Sequence, residues 1–173
     1  MKWVHLPKIK LICKPGIPPG KLQLQKSLSQ TRDRKVIKLA LGEAPLVMPE
    51  DKQKLLPDQS FSESYQLHVD PSEQIIKITG TGSAGVFYGV QTLLSIVDDQ
   101  SSVPEVSIKD FPRFSYRGLM VDVVRNFQPK HEIMKLLDVM AMYKMNKFHF
   151  HLSDNEGWRL EIPGIEELTS VRK

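Results

Sequence analysis

The feature that most constrains this chain is the order of its apolar segments after Phe111. An apolar run at 118–124 is followed by an amphipathic stretch at 129–146 and then by a second strand-like run at 147–152. Strand, helix and strand in this order and at this spacing predict a βαβ unit with parallel strands. Ligand sites of parallel α/β folds lie at the carboxyl ends of the strands. We therefore look for functional residues directly after each run.

Polar side chains gather at both of these positions. Arg125 and Asn126 follow the first run, and the segment 153–156 follows the second. Asp122 lies inside the first run, where a buried carboxylate needs partners. Strand alternation places Asp122 and Arg125 on opposite faces unless the strand bends near Val124. Which of the two faces the site stays open at this point.

Two histidines alternate along the second run. His149 and His151 share one face of this predicted strand, and Phe148 and Phe150 share the other. Together with Asp154 the histidines could suggest a metal site. A zinc site needs three or four ligands with defined geometry, and no further residue completes such a set. We therefore predict hydrogen-bonded histidines and no metal ion.

The segment 35–108 has the pattern of a small α+β layer. KVIKLAL at 35–41 is a candidate strand, and the alternating segments 65–69 and 74–79 flank a short turn. Two alternating runs around a turn predict an antiparallel hairpin with one exposed face. His68 falls on that exposed face and is expected to bind no ligand.

A glycine-rich segment at 80–85 reads GTGSAG and satisfies the G-x-G-x-x-G pattern of a dinucleotide-binding loop. The strand that feeds such a loop is normally apolar on both faces, whereas Lys77 and Thr79 alternate outward here. Small residues also let a tight turn bring a helix close to the sheet. We favour this packing role and keep nucleotide binding as the alternative.

Two helices are predicted, each with one apolar face. In the first, at 86–97, the expected core stripe is Phe87, Val90, Leu94 and Val97. In the second, at 129–146, the expected inner face is Ile133, Leu136, Leu137, Met140 and Ala141. The segment 109–114 is predicted to join the α+β layer to the βαβ unit.

The N-terminal segment is basic. Residues 1–38 hold ten Lys and Arg against one acid, Asp33, but without an aromatic or arginine-rich cluster. We therefore predict a solvated basic face and no nucleic-acid partner. Lysines and prolines interrupt its apolar residues, so neither a signal peptide nor a membrane span is predicted. Either the protein stays in the cytosol or its true N-terminus is missing; the lone Cys13 excludes only an internal disulfide.

These motifs resemble those of the β-N-acetylhexosaminidases, the family 20 glycoside hydrolases, and most of all their bacterial chitobiase-like branch. The matching segments are FPRFSYRGLMVDVVRNF at 111–127, KLLDVMAMYKMNKFHFHLSD at 135–154 and EGWRLEIPGIEELTSV at 156–171. VFYGVQTLLSI at 86–96 is similar to a helix of the family's non-catalytic domain.

The resemblance implies an α+β non-catalytic domain, with an antiparallel sheet and a helix, followed by the start of a TIM (β/α)8 barrel. The implied division is a basic, proline-rich leader at 1–34, the non-catalytic domain at 35–108 and the first βαβ of the barrel at 109–173. Eight βα units need about 250 residues. The 63 residues from Phe111 onward are therefore expected to be a barrel truncated after its second strand.

The implied activity is removal of terminal β-linked N-acetylglucosamine or N-acetylgalactosamine with retention of configuration. The nucleophile is the substrate's own acetamido oxygen, so the family departs from the two-carboxylate scheme. The resemblance implies no cofactor and no metal, and a lysosomal, secreted or periplasmic location.

The resemblance also assigns candidate site residues. Arg125 stands where the family has an arginine that holds sugar hydroxyls, and Asp154 and His151 match its supporting strand-end cluster. Asn155 departs from the branch, in which a second acid is common. The family's catalytic Asp-Glu pair has no match after Phe111, so no catalytic residue is assigned and the chain alone is expected to be inactive. A sugar-binding module or a degenerate fragment is the alternative.

Overall fold

The computed structural model describes residues 3–5, 36–43 and 62–170. The chain divides into two compact units: unit 1 is Met1–Ser115 and unit 2 is Tyr116–Lys173. Apart from residues 3–5, the predicted leader, Cys13 included, lies outside the described residues.

Unit 1 contains, in chain order, β1 (Trp3–His5), β2 (Val36–Leu41), β3 (Tyr65–Asp70), β4 (Ile75–Gly80), α1 (Ser83–Ile96), β5 (Ser102–Pro104) and β6 (Val106–Asp110). Unit 2 contains β7 (Gly118–Asp122), α2 (Lys130–Met142), β8 (Lys147–His151), β9 (Ser153–Asp154), β10 (Gly157–Trp158) and α3 (Glu167–Ser170). Among the described residues, no helix is long and apolar enough to cross a membrane.

The sheet of unit 1 has the strand order β2-β4-β3-β6. The predicted hairpin is confirmed, because β3 and β4 pair antiparallel with Leu67 opposite Ile78. Asp70 caps its turn by accepting the backbone N–H groups of Ser72 and Glu73 at its Oδ1 atom. The expectation of an antiparallel sheet was wrong for β2, which pairs parallel with β4. Alternation in a sequence reveals which face is buried, but not the partner of a strand or its direction.

The predicted core stripe of the first helix is confirmed only in part, because Val90 and Val97 pack against the core but Phe87 and Leu94 do not. Phe87 and Leu94 are 38% and 47% exposed, whereas Tyr88 and Leu93 are buried. The helix approaches through glycine: a Cβ at Gly89 would lie 2.5 Å from the Cγ2 atom of Ile78. A glycine contributes nothing to a hydrophobic pattern, so the pattern did not reveal this contact.

The glycines of the GTGSAG segment also allow close packing around the start of α1. A Cβ on Gly80 would overlap the backbone nitrogen of Val86, and one on Gly85 would overlap the carbonyl oxygen of Ser64. These glycines are therefore packed against protein backbone, which supports the packing role. The core that they close consists of Tyr65, Leu67, Val69, Ile76, Ile78, Tyr88, Leu93 and Val103.

Unit 2 contains the predicted βαβ arrangement. Strands β7 and β8 pair in parallel, with Asp122 opposite His151 at their carboxyl ends. Pro129 is the residue before the first turn of α2 and not its first helical residue. Ile133 and Met140 are the buried residues of the helix, whereas the predicted inner residue Leu137 is 37% exposed. The helix ends at Met142, four residues earlier than predicted.

Candidate functional site

The first candidate residue lies in the turn that follows β7. The strand ends at Asp122, and residues 123–125 form a turn. Asp122 Oδ1 accepts the backbone N–H of Val124 at 2.9 Å and that of Arg125 at 3.3 Å. This turn returns Arg125 to the same side as Asp122 and settles the question that strand alternation left open.

The guanidinium of Arg125 is surrounded by three carboxylates. Its Nη1 lies 2.5 Å from Asp122 Oδ2, its Nη2 lies 2.7 Å from Asp154 Oδ2, and its Nε lies 3.2 Å from Glu156 Oε2. The Arg125 side chain nevertheless remains 48% exposed. We call these four side chains the arginine cluster.

His151 adjoins the arginine cluster from the end of β8. Its Nε2 lies 3.0 Å from Asp154 Oδ2 and 3.4 Å from Nη1 of Arg125. The backbone N–H of Asn155 donates to the other oxygen of Asp154 at 2.8 Å. Asp154 is thus held by a ring nitrogen, a backbone amide and a guanidinium together. His149 shares the face of His151, with 6.3 Å between ring centroids.

The electrostatics of the arginine cluster favour its charged forms. The N–H of Asn155 and then the hydrogen bond from His151 lower the pKa of Asp154. Burial raises the pKa of Asp122, but its hydrogen bonds from Arg125 and from the backbone outweigh this and lower the pKa overall. The hydrogen bond to Asp122 in turn raises the pKa of Arg125. Both carboxyl groups are therefore ionised near neutral pH and are suited to orient a ligand, not to donate a proton.

A short hairpin presents the second half of the arginine cluster. Strand β9 pairs antiparallel with β10, and the turn between them consists of Asn155 and Glu156. The hairpin lines a hollow of about 360 Å³ together with residues 167–169. Trp158 in this wall donates its indole N–H to the carbonyl of Leu160 at 2.6 Å. The hollow adjoins Asp154 and Glu156 and offers space beside the arginine cluster.

The structure brings Arg125, Asp154 and His151 together, as their positions after the two strands predict. Asp122 and Glu156 complete the group, and neither was assigned a role there from the sequence. The sequence signal for Glu156 was its place in the polar segment 153–156, two residues beyond Asp154. Across the described ranges, no set of three or more His, Cys, Asp or Glu side chains could hold a metal ion.

Comparison with known families matches both units. Residues 7–111 match glycosyl hydrolase family 20, domain 2, and residues 114–173 match the catalytic domain of glycosyl hydrolase family 20. The first match alone covers more than half of the chain. The chain therefore belongs to glycosyl hydrolase family 20.

Individual relatives agree with this assignment. The chain is 54% identical over 112 residues to the N,N'-diacetylchitobiase of Vibrio harveyi. The aligned segment covers 64% of this chain and 12% of that protein. It is 54% identical over 111 residues to a beta-hexosaminidase of Vibrio vulnificus, which is 64% of this chain and 13% of the relative. The chain thus spans about an eighth of the length of these two relatives.

Solved structures show the same similarity. A glycoside hydrolase family 20 beta-N-acetylglucosaminidase superimposes with a TM-score of 0.60 at 40% identity, over 78% of this chain and 25% of that one. The exo beta-N-acetylglucosaminidase of Vibrio harveyi in complex with N-acetylglucosamine gives a TM-score of 0.60 at 33% identity, over 77% of this chain and 19% of that one.

Proposed function

We propose that this chain is part of a β-N-acetylhexosaminidase that removes terminal N-acetylglucosamine or N-acetylgalactosamine from glycans or chitooligosaccharides. Its share of the site is to bind the sugar. The observation that carries this proposal is Arg125, half-exposed at the carboxyl end of β7 and oriented by three carboxylates. The names of the relatives, and the N-acetylglucosamine bound to the Vibrio harveyi structure, support the choice of sugar.

We also propose that β7, α2 and β8 form the first βαβ of a TIM (β/α)8 barrel within 109–173. The segment 35–108 then belongs to the non-catalytic α+β domain, to which the family match adds residues before 35. The parallel pairing of β7 with β8 supports this division, as does the position of Arg125 just beyond a strand end. In such barrels, ligands bind at the carboxyl ends of the strands.

In this proposal Arg125 holds adjacent hydroxyl groups of the sugar. A guanidinium carries five N–H donors in a fixed planar arrangement. Each of the three carboxylates contacts a different nitrogen of Arg125, which accounts for three of these donors. The remaining N–H groups can donate to two neighbouring hydroxyls. Asp154 and His151 keep the fork in place, and the ionised carboxylates can accept hydrogen bonds from the same hydroxyls.

The test is a titration of the full chain with N-acetylglucosamine, followed by NMR. Arg125→Met should weaken binding at least about ten-fold, the range expected for lost charge-assisted hydrogen bonds. Arg117→Met is the matched control, because Arg117 donates its Nε–H to the carbonyl of Lys144 at the other end of β7. Unchanged affinity in Arg125→Met, with specific binding by the unaltered chain, would contradict the assigned role.

A hydrolysis assay tests whether this chain catalyses the reaction by itself. We expect this chain to release no 4-nitrophenol from 4-nitrophenyl N-acetyl-β-glucosaminide, because no Asp-Glu pair follows Phe111. The depressed pKa values of Asp122 and Asp154 support the same expectation. Turnover by the chain that Glu156→Gln abolishes would instead make Glu156 a proton donor.

A further inference from the structure

The turn that carries Arg125 contains two buried backbone carbonyls. Val123 and Val124 are each 2% exposed. Buried carbonyl groups in native proteins are almost always paired with a donor. The backbone N–H of Val123 donates to the carbonyl of His151 at 3.2 Å. The carbonyls of Val123 and Val124 need hydrogen-bond donors from outside the turn.

One side chain reaches both carbonyls. The Nε of Arg159 donates to the carbonyl of Val123 at 3.2 Å, and its Nη2 donates to the carbonyl of Val124 at 3.2 Å. The guanidinium also lies over the ring of Phe127, 5.3 Å from the centroid. Arg159 therefore contacts the chain on both sides of Arg125, at the two residues before it and at the second residue after it.

Arg159 is itself anchored to the hairpin that carries the other half of the arginine cluster. It directly follows β10, and its backbone N–H donates to the carbonyl of Leu152 at 2.8 Å. That hydrogen bond closes the base of the hairpin from which Asp154 and Glu156 project. The same residue thus ends the hairpin with its backbone and holds the β7 turn with its side chain.

We propose that Arg159 is a positioning residue that sets the distance between Arg125 and its partners Asp154 and Glu156. It acts through the backbone carbonyls of the turn, and its contacts with Val123, Val124, Phe127 and Leu152 involve none of the four side chains of the arginine cluster. Lysine cannot replace it, because one ammonium group cannot supply two donors at the spacing of a planar fork. The consequence for sugar affinity rests on the proposed function, whereas the consequence for Arg125 geometry does not.

The experiment uses the full chain with ¹⁵N-labelled arginine and two readouts. The first is the exchange of the Arg125 Nε–H with water, its signal being assigned by its loss in Arg125→Lys. The second is the dissociation constant for N-acetylglucosamine. The test variant is Arg159→Lys, which keeps the charge. The control is Arg117→Lys, which breaks an Nε contact to a carbonyl, 2.7 Å long, at the opposite end of β7.

We expect Arg159→Lys to speed the Arg125 Nε–H exchange and to weaken sugar binding, each about ten-fold, because a loosened turn weakens the charge-assisted hydrogen bonds of Arg125. Arg117→Lys should leave both readouts within about two-fold. Wild-type values in Arg159→Lys would overturn the proposal. Equal changes in the two variants would also overturn it, since they would indicate a general loosening of unit 2.

Two further outcomes remain decisive. If the unaltered chain binds no N-acetylglucosamine, the proposed function fails, and the exchange of the Arg125 Nε–H still decides the role of Arg159. If Arg159→Lys does not fold, Phe127→Leu is used, because it keeps Arg159 and removes only the ring beneath it. Faster Arg125 exchange in Phe127→Leu supports the positioning role, and unchanged exchange contradicts it.

Discussion

The two units use their apolar side chains differently. In unit 1, strands β3 and β4 bury residues such as Leu67 and Ile78 completely between the sheet and α1. In unit 2, the parallel strands β7 and β8 leave Met120 56% and Phe150 36% exposed. The buried apolar side chains of unit 2, among the described residues, are Val123, Val124, Ile133 and Met140.

This difference follows from the two kinds of strand pattern. Strands β3 and β4 alternate apolar with polar residues, so one sheet face and one helix satisfy them. Strand β7 places Leu119, Met120 and Val121 in succession, which is typical of parallel strands that are covered on both faces. In the part of unit 2 that the structure describes, α2 is the one helix of more than a single turn. The apolar pattern of a strand thus indicates whether one or both of its faces are buried. In unit 2, the described residues bury the apolar side chains of β7 and β8 only in part.

The largest effect is expected in the core of unit 1. Leu67→Ala removes a side chain with no exposed surface and should lower the free energy of unfolding by about 3 kcal/mol, as cavities in packed cores do. Urea denaturation followed by far-UV circular dichroism measures this. Leu94→Ala on the exposed face of α1 is the control and should cost less than about 1 kcal/mol. Equal losses would show that the outer face of α1 is as well packed as the core of unit 1.

A smaller effect is expected from the hydroxyl group of Tyr65. It donates to Asp110 Oδ2 at 2.7 Å and lies 2.6 Å from the hydroxyl oxygen of Thr92. Tyr65→Phe should lower the free energy of unfolding by about 1 kcal/mol, since it deletes these bonds within a buried setting. Tyr116→Phe, at a ring exposed in unit 2, should change the midpoint of unfolding in urea very little. A large loss at Tyr116 would mean that its hydroxyl has a buried partner in solution.

Much of unit 1 could be predicted from local patterns. The β3–β4 hairpin was predicted because alternation around an Asp-Pro-Ser-Glu turn is a property of ten or so neighbouring residues. The parallel pairing of β2 with β4 could not be predicted, because it depends on a partner nearly forty residues away. The inner face of α1 was predicted only in part, with Val90 and Val97 correct. The remaining contacts include Gly85 and Gly89, which carry no hydrophobic signal.

The candidate site shows a similar division. Arg125, His151 and Asp154 could be located because each lies at or just beyond the end of an apolar run. That Asp122 faces Arg125 depends on the turn at 123–125, and Glu156 joins them only through the β9–β10 hairpin. Strands of two residues are too short to leave a periodic signal, so this hairpin was not predicted.

The arginine cluster should make unit 2 sensitive to acid. The folded-state pKa values of Asp122 and Asp154 are lowered, so the unfolded chain takes up protons first as the pH falls. The resulting stabilisation is complete above about pH 4 and is lost as the pH drops through the folded-state values. Its size is expected to stay below that of the Tyr65 hydroxyl, because water screens these exposed charges.

Fluorescence of Trp158 in a Trp3→Phe background can follow this acid transition. Asp122→Asn should make the stability of unit 2 less dependent on pH below about pH 4. Asp70→Asn is the control, because Asp70 also has a lowered pKa but lies in the hairpin turn of unit 1. An identical pH profile in Asp122→Asn and the unaltered chain would show that the ion pair with Arg125 does not form in solution.

The smallest effect is expected on the exposed face of β7. Met120→Ser should change the free energy of unfolding by no more than about 0.5 kcal/mol, as is usual for exposed positions. Thermal unfolding of the full chain measures this. If the free energy of unfolding fell by more than about 2 kcal/mol, Met120 would be buried in solution. The contrast in burial between unit 1 and unit 2 would then be wrong.

The composition of the arginine cluster has a consequence for the rate of association. Three carboxylates around one guanidinium give the arginine cluster a formal charge of minus two, and Arg159 on the same turn reduces the local charge to minus one. Such a field repels sugars that carry carboxylate or sulfate groups and exerts no long-range pull on a neutral sugar. Neutral N-acetylhexosamines should therefore associate at a rate that added salt barely changes, whereas acidic sugars should gain access only as salt screens the site.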